Sequence, residues 1–569
     1  MRFTPAPTPT AAQPVGGTRH VDFDPVTRVA GGLAFHTVID HDRREVVESA
    51  AKATLFRGYE NILQGRDPRD AIFVSSRACG ACGSSHAAAS ASALEMALDI
   101  PTPPMAIAIR NLLLTLETLY SLPHHMFVLA GPDFSEPTVR DTNPELWERA
   151  QEALAPSFNT HGYRRISDIM TALTRITGQL YAEALYMARI AREGYVLAGG
   201  KFPHPQTTLP GGISSTIDTS DMNIIMLRVT KFFDYSRKAA AVWNDITDFF
   251  YEANPRYREV GARAPSMIDL GQWDDPWSYD ATYDGASRWG EARWATPGAL
   301  VDGRLVTTDL HRLHTGVEEF VDHSFYDDWS RDGGDAMGDD PLGNRLSPNH
   351  PWNKATIPSP GAPNVSGKYS WSTAARWDRQ AMESGSYARL WITAVANKSP
   401  HRLFCEPTGQ GIRLSIPQAS LPATELEWSV PQSWGAFERH RARAYSFVHA
   451  ALVSYDMVLV CLDLLRKGEG RIATPYKIPK GSRIGVGFGG APRGFVSHHM
   501  ALDGGEIEDY QIVTHGTFNA SPRDGSGQPG PMEEAVTGTP LLNSPYNESY
   551  IDVLRAIRSF DPCMSCATH

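Results

Sequence analysis

Two Cys-x-x-Cys pairs lie near opposite ends of this chain of 569 residues, Cys79 with Cys82 and Cys563 with Cys566. This spacing places two thiolates where both can bind one soft metal ion. If the two pairs share one site, the fold has to bring both ends of the chain together. The other two cysteines, Cys405 and Cys461, are isolated in apolar segments and are expected to pack as small hydrophobic side chains.

The cysteine pattern alone is compatible with more than one kind of site. Six cysteines are too few for a disulfide framework in a chain of this length. A structural zinc site is the ordinary interpretation of four cysteines, although the pairs of a zinc ribbon usually lie about 15–20 residues apart. A redox-active soft metal suits the same donors. A thioredoxin-like pair would need a βαβ context, which the sequence does not show.

Composition narrows the class of protein. A hydrophobic content of 42% and a charged content of 21% are typical of soluble globular proteins. The net charge of −11 argues against nucleic acid or anionic lipid as the main partner. The most apolar helical stretch, "SFVHAALVSYDMVLVCLDLL", carries one histidine and two aspartates, so we expect no membrane span. The N-terminal "MRFTPAPTPTAAQPVGG" has no apolar core and predicts no targeting signal. We therefore expect a cytoplasmic protein, or one associated with a membrane through partners.

The predicted fold class is α+β, mainly α, with a long-helix bundle as its core, peripheral β-hairpins and ordered loops. Both termini are expected to contribute to the core. Helical periodicity covers four segments, which are Pro104–Leu129, Ile166–Leu197, Asp218–Tyr251 and Trp434–Leu465. We expect a strand immediately before the first cysteine pair.

The sequence also predicts how the chain is divided. Residues 1–20 read as a flexible tail, and residues 21–569 as one fold. The predicted parts of that fold are an N-terminal hairpin with the first cysteine pair (21–90), a helical bundle (91–260 and 430–468), a peripheral insertion rich in Trp, Asp and Gly (about 270–385) and a β-rich C-terminal part with the second pair (469–569).

Two charged residues favour a functional metal over a structural one. Arg493 stands in "GGAPRGFVSHHM", where proline and glycines constrain the loop, and arginine suits a small polar or anionic ligand that needs a fixed donor. Asp561 precedes Pro562, which restricts its backbone and directs the carboxylate beside Cys563. A structural zinc site needs neither residue.

In the segments that carry the cysteine pairs, Arg493 and Asp561, the chain resembles the large, catalytic subunits of [NiFe]-hydrogenases. "RACGACGSSH" is similar to their RxCGxCxxxH signature, and "SFDPCMSCATH" to their C-terminal DPCxxCxxH. Further similar segments are "RGYENILQGRDPRDA", "GGKFPHPQTTLPGG", "YSWSTAARWDRQAMESGSYARLW", "APRGFVSHH" and "SPRDGSGQPGPMEEAVTGTP". The resemblance runs from about Arg28 to His569, and it reduces zinc to a minor alternative.

The resemblance implies a nickel ion held by all four cysteines. Cys79 and Cys563 would be terminal ligands, and Cys82 and Cys566 would bridge to an iron that carries one carbon monoxide and two cyanides. The implied reaction is the reversible heterolytic cleavage of dihydrogen, for which thiolates are strong donors and proton acceptors.

The resemblance also assigns residues around the centre. Arg493 would lie over the metals, with Asp133 and Asp561 as carboxylates around it. Pro492 would line the pocket of the diatomic ligands, and His86 would donate a hydrogen bond to a bridging cysteine.

A magnesium ion and a processed C-terminus are implied as well. Glu60, the backbone carbonyl of Ile512 and His569 match the family's magnesium ligands, and a carboxylate supplies the hard oxygen that magnesium prefers. Family members are cleaved after the histidine that corresponds to His569, so a chain ending there is expected to be the mature form.

One departure from the family concerns proton transfer. Many members have R-[IV]-E-G near the N-terminus, whereas this chain has "RVAGGL", with Ala30 in place of the acid. The segment resembles the actinobacterial-type, high-affinity, oxygen-insensitive branch. Another acid, a water chain or the group of Arg493, Asp133 and Asp561 would have to carry the first proton.

The resemblance implies an iron–sulfur small subunit as partner, because nothing in this chain supplies an exit path for electrons. A dimer of heterodimers is a further expectation. Two alternatives to an uptake enzyme stay open: a hydrogen sensor with the same metal site and little turnover, and a quinone-reductase relative that lost its metals, which the four cysteines disfavour.

Overall fold

The computed structural model describes residues 17–327, 337–544 and 549–569. Strands in these ranges form six small sheets, in which every pair of neighbours is antiparallel. The strands are β1 (Thr18–Phe23), β2 (Leu33–Asp40), β3 (Glu45–Ala53), β4 (Thr208–Leu209), β5 (Gly212–Ile213), β6 (Met267–Asp269), β7 (Gly298–Val301), β8 (Arg304–Thr307), β9 (Val317–Phe320), β10 (Ala374–Trp377), β11 (Cys405–Pro407), β12 (Gly411–Ile416), β13 (Thr424–Ser429), β14 (Arg483–Ala491), β15 (Gly494–Asp503) and β16 (Glu506–Thr514).

Helices supply most of the core. They are α1 (Tyr59–Leu63), α2 (Asp70–Ser76), α3 (Gly83–Leu98), α4 (Pro104–Pro123), α5 (Glu136–Thr142), α6 (Pro144–Glu152), α7 (Phe158–His161), α8 (Ile166–Ala172), α9 (Gln179–Gly199), α10 (Thr219–Val229), α11 (Lys231–Ala253), α12 (Ala286–Glu291), α13 (Leu310–Thr315), α14 (Ser386–Ala396), α15 (Ala436–Lys467), α16 (His515–Asn519), α17 (Pro531–Val536), α18 (Ile551–Ser559) and α19 (Met564–Ala567). A π-helical segment, His124–Ala130, follows α4, and short 3₁₀ turns cover Gly131–Phe134, Pro255–Arg258 and Pro351–Asn353.

The predicted helical bundle is confirmed. Helix α15 packs against α4 and α11, and α4 also packs against α9. Helix α4 is mostly apolar and lies buried in the middle of this bundle, and Pro104 begins it at a position where no backbone donor is lost. Two segments, Pro104–Thr142 and Ala436–Lys467, are long and apolar enough to cross a membrane, yet 94% and 61% of their most apolar windows are buried. Burial of this kind is typical of core helices.

Two of the four predicted long helices are divided. The segment from Ile166 breaks between α8 and α9, where Gly178 sits so tightly against the carbonyl of Ala172 that a Cβ would lie 2.3 Å from its oxygen. The segment from Asp218 breaks at Thr230, which follows β-branched Val229, and such residues are weak helix formers.

The N-terminal prediction is correct in part. The predicted hairpin is formed by β2 and β3. The predicted tail lies outside the described residues as far as residue 16, and residues 18–20 belong to β1, which pairs with β2.

A backbone contact between helix α3 and strand β14 positions the C-terminal sheet β14–β15–β16. Alanines and serines make α3 thin, and β14 presents glycines to it. A Cβ on Gly487 would lie 1.7 Å from the carbonyl oxygen of Ala89, and one on Gly485 would lie 2.1 Å from that of Ala93. Only glycine allows this approach.

We therefore expect Gly487→Ala to lower the free energy of unfolding by about 3 kcal/mol, since two backbones would have to separate. Gly481→Ala is the matched control, because its Cβ would meet nothing closer than 3.7 Å. Thermal unfolding of both variants measures the difference. Equal midpoints for the two would show that the α3–β14 contact does not determine the packing.

Candidate metal centre

Four cysteine sulfurs from the two ends of the chain meet in the interior. Cys82 Sγ lies 3.0 Å from Cys566 Sγ, and Cys79 Sγ lies 3.4 Å from Cys563 Sγ. Cys563 Sγ and Cys566 Sγ are 3.0 Å apart. All four sulfurs lie within 4.8 Å of one another, no disulfide joins them, and their side chains are buried. The sequence prediction that both pairs form one site is confirmed.

Each cysteine pair occupies a turn at the start of a helix. Cys82 is the residue before α3, and Cys563 is the residue before α19. The expected strand before the first pair is wrong, because α2 ends at Ser76 and the chain turns from one helix into the next. A short, apolar run such as "DAIFVSS" can form either a strand or a helix, and its residue pattern does not distinguish the two.

The N-terminal segment holds the second pair in place. Ala30 N donates to the carbonyl of Pro562 at 3.2 Å, and Met564 N donates to the carbonyl of Ala30 at 2.7 Å. Ala30 thus pairs with Cys563 as in a parallel sheet. The backbone that follows the N-terminal strand is therefore part of the wall of the site.

The pKa values of three of the cluster thiols are shifted in different directions. Burial raises the pKa of Cys82 and of Cys566 well above the usual range. Hydrogen bonds from Cys566, Cys79 and Cys82 lower the pKa of Cys563.

Arg493 and Pro492 form the buried tip of the hairpin between β14 and β15. Ala491 pairs with Gly494, so these two residues are the whole connection. Arg493 is 3% exposed, and its Nη1 has no hydrogen-bond partner within the described ranges. Burial alone would lower the pKa of Arg493, but Asp561, Cys563, Cys79 and Cys82 raise it, so the cation is permanent and lies within electrostatic reach of the sulfurs.

Arg389, which sequence reasoning missed, holds this hairpin tip. Its Nη1 donates to the carbonyl of Ala491 at 2.8 Å, its Nη2 donates to that of Gly494, and Asp269 balances its charge at 3.1 Å. Ser386 Oγ also donates to the carbonyl of Pro492 at 3.2 Å. The rigid loop predicted from its prolines and glycines is thus fixed by contacts on both flanks.

Asp561 lies at the centre of a buried group of charges. Its Oδ1 is 3.2 Å from Arg493 Nε and 2.8 Å from His125 Nδ1, and its Oδ2 is 3.9 Å from Arg443 Nε. Burial alone would raise the pKa of Asp561, but Arg493, His125 and Arg443 lower it well below its usual range. The predicted pairing of Asp561 with Arg493 is confirmed, and the carboxylate stays ionised.

The predicted place of Asp133 beside Arg493 is wrong. Arg558 Nη1 donates to both of its carboxylate oxygens, at 2.8 and 2.9 Å, and Arg28 Nη2 donates to Oδ1. Burial alone would raise the pKa of Asp133, but these two arginines lower it. Asp133 ties the Arg28 segment to helix α18, and His125 of the π-helical segment occupies the position near Asp561.

His86 contacts Cys566 and is the first residue of a buried hydrogen-bonded chain. His86 Nε2 lies 3.5 Å from Cys566 Sγ, and its Nδ1 lies 2.9 Å from His498 Nε2. His498 Nδ1 is 2.5 Å from the Tyr510 hydroxyl, which donates to Ser90 Oγ at 2.9 Å. Burial lowers the pKa of His86 to about 3, so the ring is neutral. The contact orients one imidazole against the sulfur.

The three residues predicted as magnesium ligands also lie together. Glu60 Oε1 is 3.1 Å from His569 Nε2 and accepts from Ile512 N at 2.9 Å. Thr356 Oγ1 donates to the other oxygen of Glu60. Burial alone would raise the pKa of Glu60, but His569 lowers it. A buried carboxylate and a terminal imidazole thus face each other.

The fold and the site together define a protein with a buried thiolate centre for a metal ion. A bundle of long helices encloses four thiolates from both ends of one chain, and a buried arginine–aspartate pair stands beside them. Such a donor set suits a soft, redox-active metal, and the unpaired Arg493 nitrogen supplies a group that a structural zinc site would not need.

Comparison with known proteins gives the family. The model for nickel-dependent hydrogenases matches residues 57–175 and 171–569, so the chain belongs to this family. It is 28% identical to the uptake hydrogenase large subunit of Cupriavidus necator over 97% of this chain and 95% of that one. It is 27% identical to the quinone-reactive Ni/Fe-hydrogenase large chain of Wolinella succinogenes over 97% and 96%.

Solved structures identify the branch that the chain resembles. The actinobacterial-type NiFe-hydrogenase from Ralstonia eutropha H16 matches with a TM-score of 0.94 at 38% identity, covering 97% of this chain and 100% of that one. The [NiFeSe]-hydrogenase of Dm. baculatum matches with a TM-score of 0.74 at 26% identity over 97% and 100%. The chain is thus a hydrogenase large subunit, an oxidoreductase acting on H2, and its predicted resemblance to the actinobacterial type is confirmed.

We expect Arg389→Met to lower stability by about 3–5 kcal/mol, because it leaves Asp269 buried without its cation. H2 oxidation should fall as well, since the tip carrying Arg493 would be released. Arg413→Met, which removes an exposed ion pair with Glu406, is the control and should cost less than about 1 kcal/mol. Unfolding experiments and H2-oxidation assays on the purified complexes of both variants measure the two effects. Unchanged turnover in Arg389→Met would contradict the clamping role.

Proposed function

We propose that this chain is the catalytic subunit of an uptake hydrogenase whose four cysteines hold a nickel–iron centre carrying one carbon monoxide and two cyanides on the iron. Cys79 and Cys563 would bind nickel alone, and Cys82 and Cys566 would bind both metals. The convergence of four buried sulfurs within 4.8 Å carries this proposal. Two of the close sulfur pairs, Cys79 with Cys563 and Cys82 with Cys566, join the two ends of the chain.

The residues around the cluster fit such a centre. When bound, the metals supply the redox chemistry that splits dihydrogen heterolytically. The thiolates hold the metals and can take up a proton. Asp561 stays ionised and keeps Arg493 charged, and Arg493 Nη1 is a buried N–H donor that has no partner among the described residues. Pro492, at the same hairpin tip, would line the pocket of the diatomic ligands, and the apolar cluster around the four cysteines keeps bulk water out.

A magnesium ion beside the C-terminus is part of the proposal. Glu60 would supply a carboxylate oxygen, His569 an imidazole nitrogen and Ile512 its carbonyl oxygen, with waters completing the shell that magnesium prefers. The 3.1 Å separation of Glu60 Oε1 and His569 Nε2 supports these two ligands, while Ile512 contacts Glu60 through its backbone N–H.

Electrons would leave through a second protein. Among the described residues, the four cysteines are the one group of three or more His, Cys, Asp or Glu side chains placed to hold a metal ion, and Cys405 and Cys461 are buried apart from it. An iron–sulfur small subunit and a respiratory acceptor would therefore complete the enzyme, with a dimer of such heterodimers as one assembly. Association with a membrane would come through these partners. The uptake and quinone-reactive relatives support an enzyme rather than a hydrogen sensor.

Cys563→Ala should abolish nickel retention and H2 oxidation, because three thiolates and one methyl group cannot complete the site. Cys461→Ala is the matched control, since Cys461 is equally buried but packs within α15. Metal analysis of both purified complexes decides the question. Normal nickel in Cys563→Ala would contradict the ligand assignment.

Glu60→Gln should lower bound magnesium from about one ion per chain to well below one, because a neutral amide is a weak ligand for a hard cation. Elemental analysis after dialysis against magnesium-free buffer measures it. Glu319→Gln is a control, since Glu319 is a buried carboxylate paired with Lys354. Full magnesium retention in Glu60→Gln would exclude Glu60 as a ligand.

A further inference from the structure

A small cavity lies behind the hairpin tip of Pro492 and Arg493. Its lining comes from helices α4, α14 and α15, from Gln272 and Trp273, and from Pro492 itself. All but one of the lining residues are buried. The cavity leaves about 10 Å³ to the centre of a water-sized molecule. This volume is close to the minimum that one water molecule needs.

Three residues that line this cavity carry a nitrogen atom without a hydrogen-bond partner among the described residues. The atoms are Gln272 Nε2, Trp273 Nε1 and His449 Nε2, and each residue is at most 3% exposed. The rings of Trp273 and His449 meet edge to face, with centroids 5.3 Å apart. Leaving a buried polar atom unpaired costs the free energy of removing it from water. Three such atoms around one cavity are the partners that a small hydrogen-bonding ligand needs.

The neighbours of Gln272 determine which of its amide atoms is free. Arg389 Nη1 donates to Gln272 Oε1 at 2.7 Å. Because an arginine can only donate, the amide oxygen is the atom that faces Arg389, and the NH2 group lies on the other side of the amide. Gly490 packs so closely here that a Cβ on it would lie 2.4 Å from Gln272 Cβ. The amide is therefore held in one orientation, in which Nε2 is a donor that needs an acceptor.

Trp273 has a backbone conformation that bulky residues rarely adopt. Its φ of 67° lies in the left-handed region, where the Cβ of an ordinary residue is strained. Trp294 N donates to the carbonyl of Trp273 at 3.1 Å and helps to hold this conformation. The fold thus keeps this indole at the cavity wall at a cost in backbone energy. Strain of this kind is concentrated at functional positions.

His449 is the residue of the three that can accept a hydrogen bond. Burial lowers the pKa of His449 to about 3, and Arg389 lowers it as well, so the ring is neutral. With its hydrogen on Nδ1, a neutral imidazole accepts at Nε2, whereas Gln272 Nε2 and Trp273 Nε1 can only donate. The ligand therefore has to accept two hydrogen bonds and donate one. Water does both, while a halide ion only accepts, and dihydrogen does neither.

We propose that the cavity is a binding site for one water molecule, which accepts from Gln272 Nε2 and Trp273 Nε1 and donates to His449 Nε2. Three hydrogen bonds to buried polar groups are the usual number for a water inside a protein. The second hydrogen of the water is left for an oxygen of the wall. Ser446 Oγ is such an oxygen, since its own hydrogen is donated to the carbonyl of Ser386 at 3.1 Å.

The water links helix α15 to the residues that support the hairpin tip. His449 stands on α15, and Gln272 contacts Arg389, whose two terminal nitrogens donate to the carbonyls of Ala491 and Gly494. Bound water that satisfies buried polar groups is costly to remove. Its loss would leave two N–H donors unpaired and would remove one of the contacts that hold the Gln272 amide against Arg389.

A structure of the purified parent complex, at a resolution that shows ordered water, tests the site. We expect one density peak in the cavity, about 3 Å from each of the three nitrogen atoms. A cavity without density would overturn the proposal. A second structure, from complex prepared with bromide in place of chloride, separates water from an anion. We expect no anomalous bromide signal in the cavity. A bromide peak there would overturn the proposal, since His449 Nε2 would then carry a hydrogen.

Two variants of His449 test its part in the site. His449→Phe keeps a ring but removes the acceptor, so we expect loss of the water peak and a lower midpoint of thermal unfolding. His449→Gln keeps an acceptor oxygen and should retain the water and most of the stability. A water peak that stays in His449→Phe, with an unchanged midpoint, would contradict the proposal. The parent structures decide the matter if His449→Phe does not fold, and none of these measurements depends on H2 turnover.

Discussion

The close packing of helix α3 on strand β14 is the contact on which the site depends. Glycines at positions 485 and 487 let two backbones touch, and this contact sets the start of α3 beside the end of β14. Cys82 stands at the first of these points, and the hairpin tip with Arg493 stands at the second. The second cysteine pair is added by the C-terminal helices, whose backbone is held against Ala30. The active-site geometry thus follows from backbone contacts rather than from long side chains.

Charge balance explains why the cluster suits a metal-binding thiolate set. Arg493 and Arg443 are both buried near Asp561, so one carboxylate faces two cations. Buried charges without compensation are costly. Thiolates would supply further negative charge, and a bound metal would hold them together. Burial also keeps His125 neutral, with its pKa lowered to about 4, so this ring adds no further cation.

Sequence motifs predicted the ligands of the site better than the residues that hold those ligands in place. The cysteines, Arg493 with Asp561, His86, and Glu60 with His569 were correctly brought together because each stands in a short, distinctive segment. Asp133 was placed wrongly, since a motif match does not show which arginine a carboxylate faces. Arg389 was missed because its partners lie far away along the chain. Two predicted long helices are each broken in two at tight turns, which hydrophobic periodicity does not detect.

X-ray absorption at the nickel edge of the purified complex tests the central claim most directly, namely that four thiolates from both ends of the chain bind one nickel–iron centre. The account predicts nickel surrounded by sulfur ligands with an iron neighbour, and loss of that signal in a variant without Cys563. Nickel bound by nitrogen and oxygen alone, or a lone zinc between the cysteines, would contradict it.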